Sequence, residues 1–330
     1  MVLTAKQEEG LKIAVARYKS NEPYTCISGY AGSGKSTLVK FIIEALNVDP
    51  VNEVCYVAYT GKAANVLKSK GNDNVMTLHK LMYKPRVFEN VISFELKKEL
   101  EEDYKIIVLD EVSMISEKMW KDLLSFNIYV IACGDPGQLP PLAGDQVGIL
   151  QKPHVFLDEI MRQAQESEII RMSMLVREGK ELPLFKGNEV QILTYNDLNQ
   201  GMLLWADQVL CATNANKNAL NHQIRGLLGY EEDLVKGEKI MCQTNQWDIF
   251  SDKGTALTNG TSIFIDSFYE RTRVYSRGVQ KGRPPIDLRM INATSELGEK
   301  FNLLPLDYHY LKTGEEIFDL REHLAIKISK

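Results

Sequence analysis

The sequence predicts an α/β fold in which a parallel sheet is covered by helices on both faces. Short apolar runs alternate along the first half of the chain with segments of helical periodicity. The runs are apolar at consecutive positions, as expected for strands whose two faces are both buried. The predicted strands are residues 24–27, 54–58, 106–109 and 128–133, and the predicted helices cover 4–19, a segment ending near Leu46, and 61–70.

Composition limits the possible classes of protein. The 330 residues are 44% hydrophobic and 25% charged, which excludes collagen-like, low-complexity and disordered chains and leaves room for about two domains. The formal net charge is −5, so the whole chain has no overall attraction to phosphate. Any nucleic-acid binding must therefore come from local basic patches.

Cysteine usage and hydropathy bear on the cellular compartment. The five cysteines have no C-x-x-C spacing and lie in or beside apolar runs, so we expect buried, reduced thiols with no metal or disulfide. The N-terminus has no charged region followed by an apolar stretch, and no apolar segment is long enough to span a bilayer. We expect a soluble, cytoplasmic protein with no membrane partner.

A nucleotide-binding motif follows the first predicted strand. Residues 29–36 match G-x-x-x-x-G-K-[ST] in full, between an apolar strand and a helix-forming run. The backbone N–H groups of such a loop and the following helix N-terminus bind phosphates, Lys35 reaches the β/γ oxygens, and the Ser36 hydroxyl ligates Mg²⁺. The residues predicted to bind ATP are Gly29, Ala31, Gly32, Ser33, Gly34, Lys35, Ser36 and Thr37.

Two carboxylates follow the strand 106–109. Asp110 would lie at the carboxyl end of the sheet beside the phosphate loop, where it would hold Mg²⁺ through water. Glu111 would orient or deprotonate the attacking water. A nucleotide kinase could use a similar strand, but the adjacent glutamate favours hydrolysis by water.

A third segment, residues 134–141, reads Gly-Asp-Pro-Gly-Gln-Leu-Pro-Pro and resembles the GDxxQLPP motif of superfamily 1 helicases of the RecD/Dda type. The resemblance implies a P-loop NTPase with a RecA-like sheet that uses ATP and Mg²⁺ to move 5′-to-3′ along single-stranded DNA and to separate forked duplex DNA. It implies a monomer that works with other replication or recombination proteins. In the family such a glutamine lies near the γ-phosphate, a role that falls on Gln138.

The same resemblance points to DNA contacts. Residues 58–64 resemble the family's Ia segment and 77–79 its Ib segment, so Thr60, Lys62 and His79 would face single-stranded DNA. Residues 60–86 carry six Lys or Arg against one Asp. The alternation around Glu89-Asn90 predicts a hairpin, which in the family separates strands, with Phe94 and also Phe88 as candidates for base stacking.

Two further ATP contacts are implied by the resemblance. Residues 4–7 resemble the segment whose glutamine reads adenine in the family, which makes Gln7 a candidate, although T-x-x-Q is also a capping box for the first helix. Residues 157–163 resemble the segment that brings an arginine to the γ-phosphate, which makes Arg162 a candidate for stabilising the transition state.

We predict three regions. Residues 1–186 form the first RecA-like motor domain with the ATP site, including the hairpin at 84–98. Residues 187–236 begin a second, partial RecA-like domain that opens with a strand at 208–212. Residues 237–330 hold a small SH3-like β insertion, with interleaved basic and aromatic residues at 267–290, and a truncated C-terminal part.

Two strings that the family uses for DNA and ATP contacts, T-x-H-K-S/A-Q-G and Y-x-A-x-T-R, are not found. We therefore expect a fragment or a natural short form of a helicase that lacks motifs V and VI. The alternative function is a single-strand-binding module that uses ATP as a conformational switch, and a nucleotide kinase is a third.

Overall fold

The computed structural model describes residues 3–88, 91–141, 145, 147–159, 167–230, 234–242, 246–274 and 286–307. Side chains are not described for 85–88, 91–93, 247–248, 272–274, 286–287 and 307. The chain forms two compact units, Met1–Leu193 and Thr194–Lys330. Within the described ranges, every helix is too short or too polar to cross a membrane.

The first unit contains ten strands and six helices among the described residues. The helices are α1 (Ala5–Lys19), α2 (Lys35–Ala45), α3 (Gly61–Ser69), α4 (Leu78–Met82), α5 (Glu117–Leu124) and α6 (Glu168–Arg177). The strands are β1 (Tyr24–Gly29), β2 (Val54–Ala58), β3 (Val75–Thr77), β4 (Tyr83–Phe88), β5 (Val91–Leu96), β6 (Ile106–Leu109), β7 (Tyr129–Gly134), β8 (Val155–Leu157), β9 (Phe185–Lys186) and β10 (Gln191–Ile192).

Six of these strands form one sheet in the order β3-β2-β6-β7-β1-β8. Every neighbouring pair in it is parallel, which confirms the predicted parallel α/β fold. Because parallel strands end at the same edge, the residues that follow β1, β2, β6 and β7 come together there. The phosphate loop, Asp110 and residues 134–138 are among them.

Both faces of the sheet are buried, which explains the uninterrupted apolar runs. On one face Ile106 and Val108 pack with α2, and on the other Ile107 and Leu109 pack with α4 and α5. At about 25 cal/mol per Å² of buried apolar area, these two layers are the main stabilising term of the unit. The helix residues that complete the layers are Leu38, Val39, Ile42, Leu78, Met82, Trp120 and Leu123.

The cysteines follow the expectation only in the first unit. Cys26, Cys55 and Cys133 are buried in the sheet, and burial raises the pKa of the Cys26 thiol to about 12. Cys211 is exposed and Cys242 is half-buried, so the prediction of five buried thiols is wrong for Cys211. The reason is that the segment around Cys211 is not part of a sheet.

The predicted hairpin is present. Strands β4 and β5 pair antiparallel from Tyr83 opposite Leu96 to Phe88 opposite Val91, and residues 89–90 between them lie outside the described residues. The side chain of Phe88 also lies outside them.

Residues 185–192 form a second, short hairpin. Strands β9 and β10 pair antiparallel, and the Glu189 carboxylate accepts hydrogen bonds from the Ser167 hydroxyl (3.1 Å) and the Glu168 amide (2.8 Å) at the start of α6. These bonds attach the hairpin to α6, which explains why the first unit extends to Leu193.

The second unit begins with helices α7 (Gln200–Trp205) and α8 (Asn214–Leu227). The strand predicted at 208–212 is wrong: these residues have no regular structure, and Leu210 is 88% exposed. A parallel strand depends on hydrogen bonds from its neighbours. No strand pairs with residues 208–212 in the described part of the chain.

The predicted β insertion is confirmed as antiparallel structure. The strands are β11 (Lys239–Met241), β12 (Gln246–Phe250), β13 (Ala256–Leu257), β14 (Ser262–Val274), β15 (Ile286–Ser295) and β16 (Lys300–Asp307). Four of them form a sheet in the order β11-β14-β15-β16, and β12 pairs with β13. The core of this unit includes Ile263 and Ile265 of β14, Ile291 of β15, and Phe301 and Leu304 of β16.

We predict that His154 makes the stability of the first unit dependent on pH. Its Nδ1 accepts a hydrogen bond from the Cys26 amide (2.9 Å), and burial, together with the charge of Arg17, lowers the pKa of the imidazole. The unfolded chain therefore binds a proton more readily, so stability is lost as the pH falls through the ordinary histidine pKa of about 6.5. Urea unfolding at pH 7.5 and 5.5 should show a smaller acid loss in His154→Gln, and equal losses would contradict the assignment.

Candidate nucleotide and DNA site

The phosphate loop connects β1 to α2. Gly32 and Gly34 have φ angles of 76° and 82°, in the left-handed region that glycine adopts without strain. The loop is held by hydrogen bonds from the Ser33 amide to the Tyr30 carbonyl (3.2 Å) and from the Tyr30 amide to the Leu157 carbonyl (3.3 Å). The loop is thus shaped by its own backbone and by β8.

The start of α2 is suited to an anion. Its N-cap is Gly34, and no side chain caps it. In the described residues the first turn of every other α-helix donates to a hydroxyl, amide or carboxylate oxygen, from Thr4, Thr60, Thr77, Ser116, Asn199, Thr213 or, for α6, Glu189 of the hairpin. The N–H groups of a helix start carry partial positive charge, and a phosphate would supply the missing acceptor.

Lys35 lies where the motif requires it. Its ammonium donates to the carbonyls of Gly29 (2.8 Å) and Tyr30 (2.9 Å) and has three N–H donors. Burial lowers the pKa of Lys35, while the carboxylates of Asp135 and Asp110 act in the opposite direction. A partly desolvated ammonium held by two neutral carbonyls gains a stronger partner when a phosphate arrives.

Asp110 and Glu111 follow β6 at the same edge of the sheet. The Asp110 carboxylate accepts a hydrogen bond from the Glu111 amide (3.0 Å), and Glu111 has a φ of 56°, which is uncommon for a residue with a side chain. Burial, followed by the charge of Asp110, raises the pKa of Glu111. A carboxylate with a raised pKa is a stronger base for an attacking water.

Magnesium would need ligands from more than the protein. In the described ranges no group of three His, Cys, Asp or Glu side chains could hold a metal. The exposed Ser36 hydroxyl and the half-exposed Asp110 carboxylate are oxygen donors of the type that Mg²⁺ prefers. These two oxygen donors fit a Mg²⁺ ion whose other ligands would be phosphate oxygens and water.

Gln138 follows β7 on the neighbouring loop. Its Oε1 accepts a hydrogen bond from the buried Ser113 hydroxyl (3.2 Å), which follows Glu111 by two residues. The bond joins the loop after β7 to the segment after β6. Gln138 is exposed, so its amide is accessible to a ligand.

One charged contact here was not predicted. Arg177, at the end of α6, pairs with both carboxylate oxygens of the buried Asp135 and lies over the Tyr30 ring, 5.0 Å from the centroid. No sequence signal indicates this, because an arginine in the last turn of a helix is common for electrostatic reasons alone.

Gln7 forms the capping box that the sequence left as the alternative. The Thr4 hydroxyl accepts from the Gln7 amide N–H (3.3 Å), and Gln7 Oε1 accepts from the Thr4 backbone N–H (3.0 Å). Gln7 Nε2 also donates to the Ser33 carbonyl (3.3 Å), so the side chain, 2% exposed, supports the phosphate loop. An adenine contact by Gln7 stays a prediction. Arg162 lies outside the described residues.

Three of the four predicted DNA-binding residues lie on the helices after β2 and β3. The Thr60 hydroxyl caps α3 by accepting from the Ala63 amide (3.1 Å), and Lys62 in the first turn is exposed. His79 lies in α4, and burial lowers the pKa of its imidazole. Its ring centroid is 6.4 Å from that of Phe94 in β5, which is 52% exposed.

Two tyrosines complete this group and were missed by sequence reasoning. The His79 ring centroid lies 5.9 Å from that of Tyr59 and 5.6 Å from that of Tyr83. Tyr83 donates to the Asp122 carboxylate (2.6 Å), which orients its ring. We call Tyr59, His79, Tyr83 and Phe94 the aromatic cluster.

Comparisons with known proteins identify a family model and a relative that this chain resembles. Residues 3–196 match the family model described as AAA domain. The chain is 27% identical over 310 residues to the ATP-dependent DNA helicase dda of Enterobacteria phage T4, covering 84% of this chain and 70% of that protein.

Two solved structures share the fold. One is a Pif1 helicase in a study of DNA unwinding at forked duplex DNA, with a TM-score of 0.51, 17% identity, and coverage of 91% of this chain and 76% of that chain. The other is Bacteroides Pif1 bound to single-stranded DNA, with a TM-score of 0.50, 18% identity, and coverage of 92% and 74%. With the RecD/Dda-type resemblance thus confirmed, the chain belongs to the AAA domain family.

Proposed function

We propose that this protein is an ATP-dependent DNA helicase that moves 5′-to-3′ along single-stranded DNA and separates forked duplex DNA. One observation carries the proposal: the phosphate loop, the Asp110–Glu111 pair and Gln138 meet at one edge of the sheet, and Tyr59 and His79 of the aromatic cluster follow the adjoining strands β2 and β3 at that edge. Related proteins named for DNA unwinding and for single-stranded DNA binding support the substrate.

The proposed roles combine this geometry with the family resemblance. The loop from Gly29 to Thr37 binds the ATP phosphates, and Ser36 and Asp110 hold Mg²⁺, which supplies charge neutralisation of the phosphates when bound. Lys35 contacts the β/γ oxygens, Glu111 accepts the proton of the attacking water, and Gln138 responds to the γ-phosphate. Arg162 is proposed to stabilise the transition state, and Gln7 to contact adenine.

On the DNA side, Thr60, Lys62 and His79 contact the strand, and Phe94 stacks on a base. We further propose a monomer that acts with other replication or recombination proteins. A cytoplasmic location stays a prediction from the sequence.

The function is tested by ATP turnover with and without oligo-dT and by unwinding of duplexes with a 5′ or a 3′ single-stranded tail. We expect oligo-dT to stimulate turnover and only the 5′-tailed duplex to be unwound. Preference for the 3′ tail would contradict the direction. ATP and DNA binding with no stimulation would support the alternative, an ATP-switched single-strand-binding module.

Two variants separate binding from chemistry. Lys35→Ala should lose Mg-ATP binding, because it removes the cation that the loop offers to the β/γ oxygens. Glu111→Gln should bind ATP normally and lose hydrolysis, because an amide cannot accept the water's proton. Nucleotide titration and turnover on both variants are the measurements. Normal hydrolysis by Glu111→Gln would remove Glu111 from this role.

Salt dependence separates phosphate contacts from stacking. Lys62→Ala should weaken DNA binding and reduce the slope of log K against log salt by about 1 at most. Phe94→Ala should cost about 1–3 kcal/mol of binding with the slope unchanged. Lys12→Ala, an exposed lysine on α1, is the matched charge control. Phe94→Leu keeps an apolar side chain without the ring, and wild-type affinity in it would show that Phe94 only packs against protein.

A further inference from the structure

Arg177 forms a bidentate ion pair inside the first unit. Its two terminal nitrogens each donate to one carboxylate oxygen of Asp135, and the side chains of Arg177 and Asp135 are 19% and 3% exposed. Bidentate pairing of this kind fixes the orientation of the guanidinium and the carboxylate as well as the distance between them. Burial by itself would raise the pKa of Asp135, but the hydrogen bonds from Arg177 and Gly137 outweigh it, and the pKa is lowered.

Asp135 in turn shapes the loop that carries Gln138. Its Oδ1 accepts a hydrogen bond from the Gly137 amide (2.9 Å), and its backbone carbonyl accepts one from the Gln138 amide (3.1 Å). A Cβ on Gly137 would collide with the Arg177 guanidinium, so the arginine packs directly against this turn. The position of Gln138 therefore depends on Asp135, and that of Asp135 on Arg177.

Arg177 also contacts the phosphate loop. Its guanidinium lies over the Tyr30 ring, whose other neighbour is Phe156 in an edge-to-face contact with centroids 5.6 Å apart. The Tyr30 carbonyl is one of the two acceptors of the Lys35 ammonium. One guanidinium thus touches both loops that face the nucleotide.

The helix that carries Arg177 is anchored at its other end. The Glu168 carboxylate accepts from the amides of Glu189 (2.8 Å) and Val190 (3.1 Å) in the β9–β10 hairpin. Arg171 lies over the Phe185 ring of the same hairpin, 5.1 Å from the centroid. The helix that carries Arg177 is therefore fixed by its contacts with the hairpin. Less conformational entropy is then lost when the Arg177 side chain is ordered in its ion pair.

We propose that Arg177 is a positioning residue for ATP hydrolysis: it holds the Asp135 turn so that Gln138 meets the γ-phosphate, and it neutralises a buried carboxylate beside the triphosphate. The inference rests on the proposed function. Without Arg177, Asp135 would be an unpaired negative charge close to an anionic ligand.

The test compares DNA-stimulated ATP turnover of Arg177→Lys and the wild type. Lysine keeps the charge but cannot pair with both oxygens, so kcat should fall by about 10- to 100-fold while KM for ATP changes little. Arg177→Ala should lower kcat and also raise KM. Adding Asp135→Asn to Arg177→Ala removes the unpaired charge, so KM should recover and kcat should not.

The control is Lys180→Ala, which removes a positive side chain just after the same helix that pairs with the exposed Glu178. It should keep wild-type kcat and KM, and thermal unfolding of each variant shows whether the unit is folded. If Arg177→Lys does not fold, Asp135→Asn alone breaks the same pair and should lower kcat. Wild-type kcat in folded Arg177→Lys or Asp135→Asn would overturn this inference alone. Absence of ATP turnover in the wild type would overturn the proposed function, and this inference with it.

Discussion

The parallel pairing of β1 with β7, and of β7 with β6, is the constraint on which the candidate site depends. It brings three loops that are distant in sequence to one edge of the sheet. A shift of one residue in either register would move a loop by about 3.3 Å and exchange the side chains that pack on the two buried faces. The apolar layers on both faces hold this register, so the site residues can be polar and strained without loss of position.

The charges at this edge form a connected set. The Lys35 ammonium donates to neutral carbonyls, and the Asp110 carboxylate accepts a hydrogen bond from the Glu111 amide. The Asp135 carboxylate forms an ion pair with Arg177. Two features cost stability: the left-handed backbone of Glu111 and its carboxylate beside Asp110. Such costs are common where chemistry requires a particular geometry, and the sheet beneath supplies the stability that offsets them.

Local patterns in the sequence were enough to predict four of the six strands of the first sheet, the phosphate loop and the β4–β5 hairpin, but not the edge strands β3 and β8. The sequence did not reveal Arg177 or the tyrosines of the aromatic cluster, because they belong to no motif and contacts such as that of Arg177 with Asp135 leave no local pattern. The prediction of a strand at 208–212 was wrong because an apolar run alone does not make a buried strand. A strand also needs neighbouring strands with which it can pair. Family resemblance and enzyme class are confirmed, whereas the individual site roles stay proposals.

The uncapped start of α2 has a thermodynamic consequence. A ligand that binds only the folded state stabilises it by about 2.7 kcal/mol at a hundred times its dissociation constant. Because the acceptor missing from α2 is one that a phosphate would provide, the first unit should be least stable when empty and should tighten with each nucleotide bound. A motor that binds and releases ATP in every cycle would then alternately stiffen and loosen the same helix, at the point where the nucleotide loops meet.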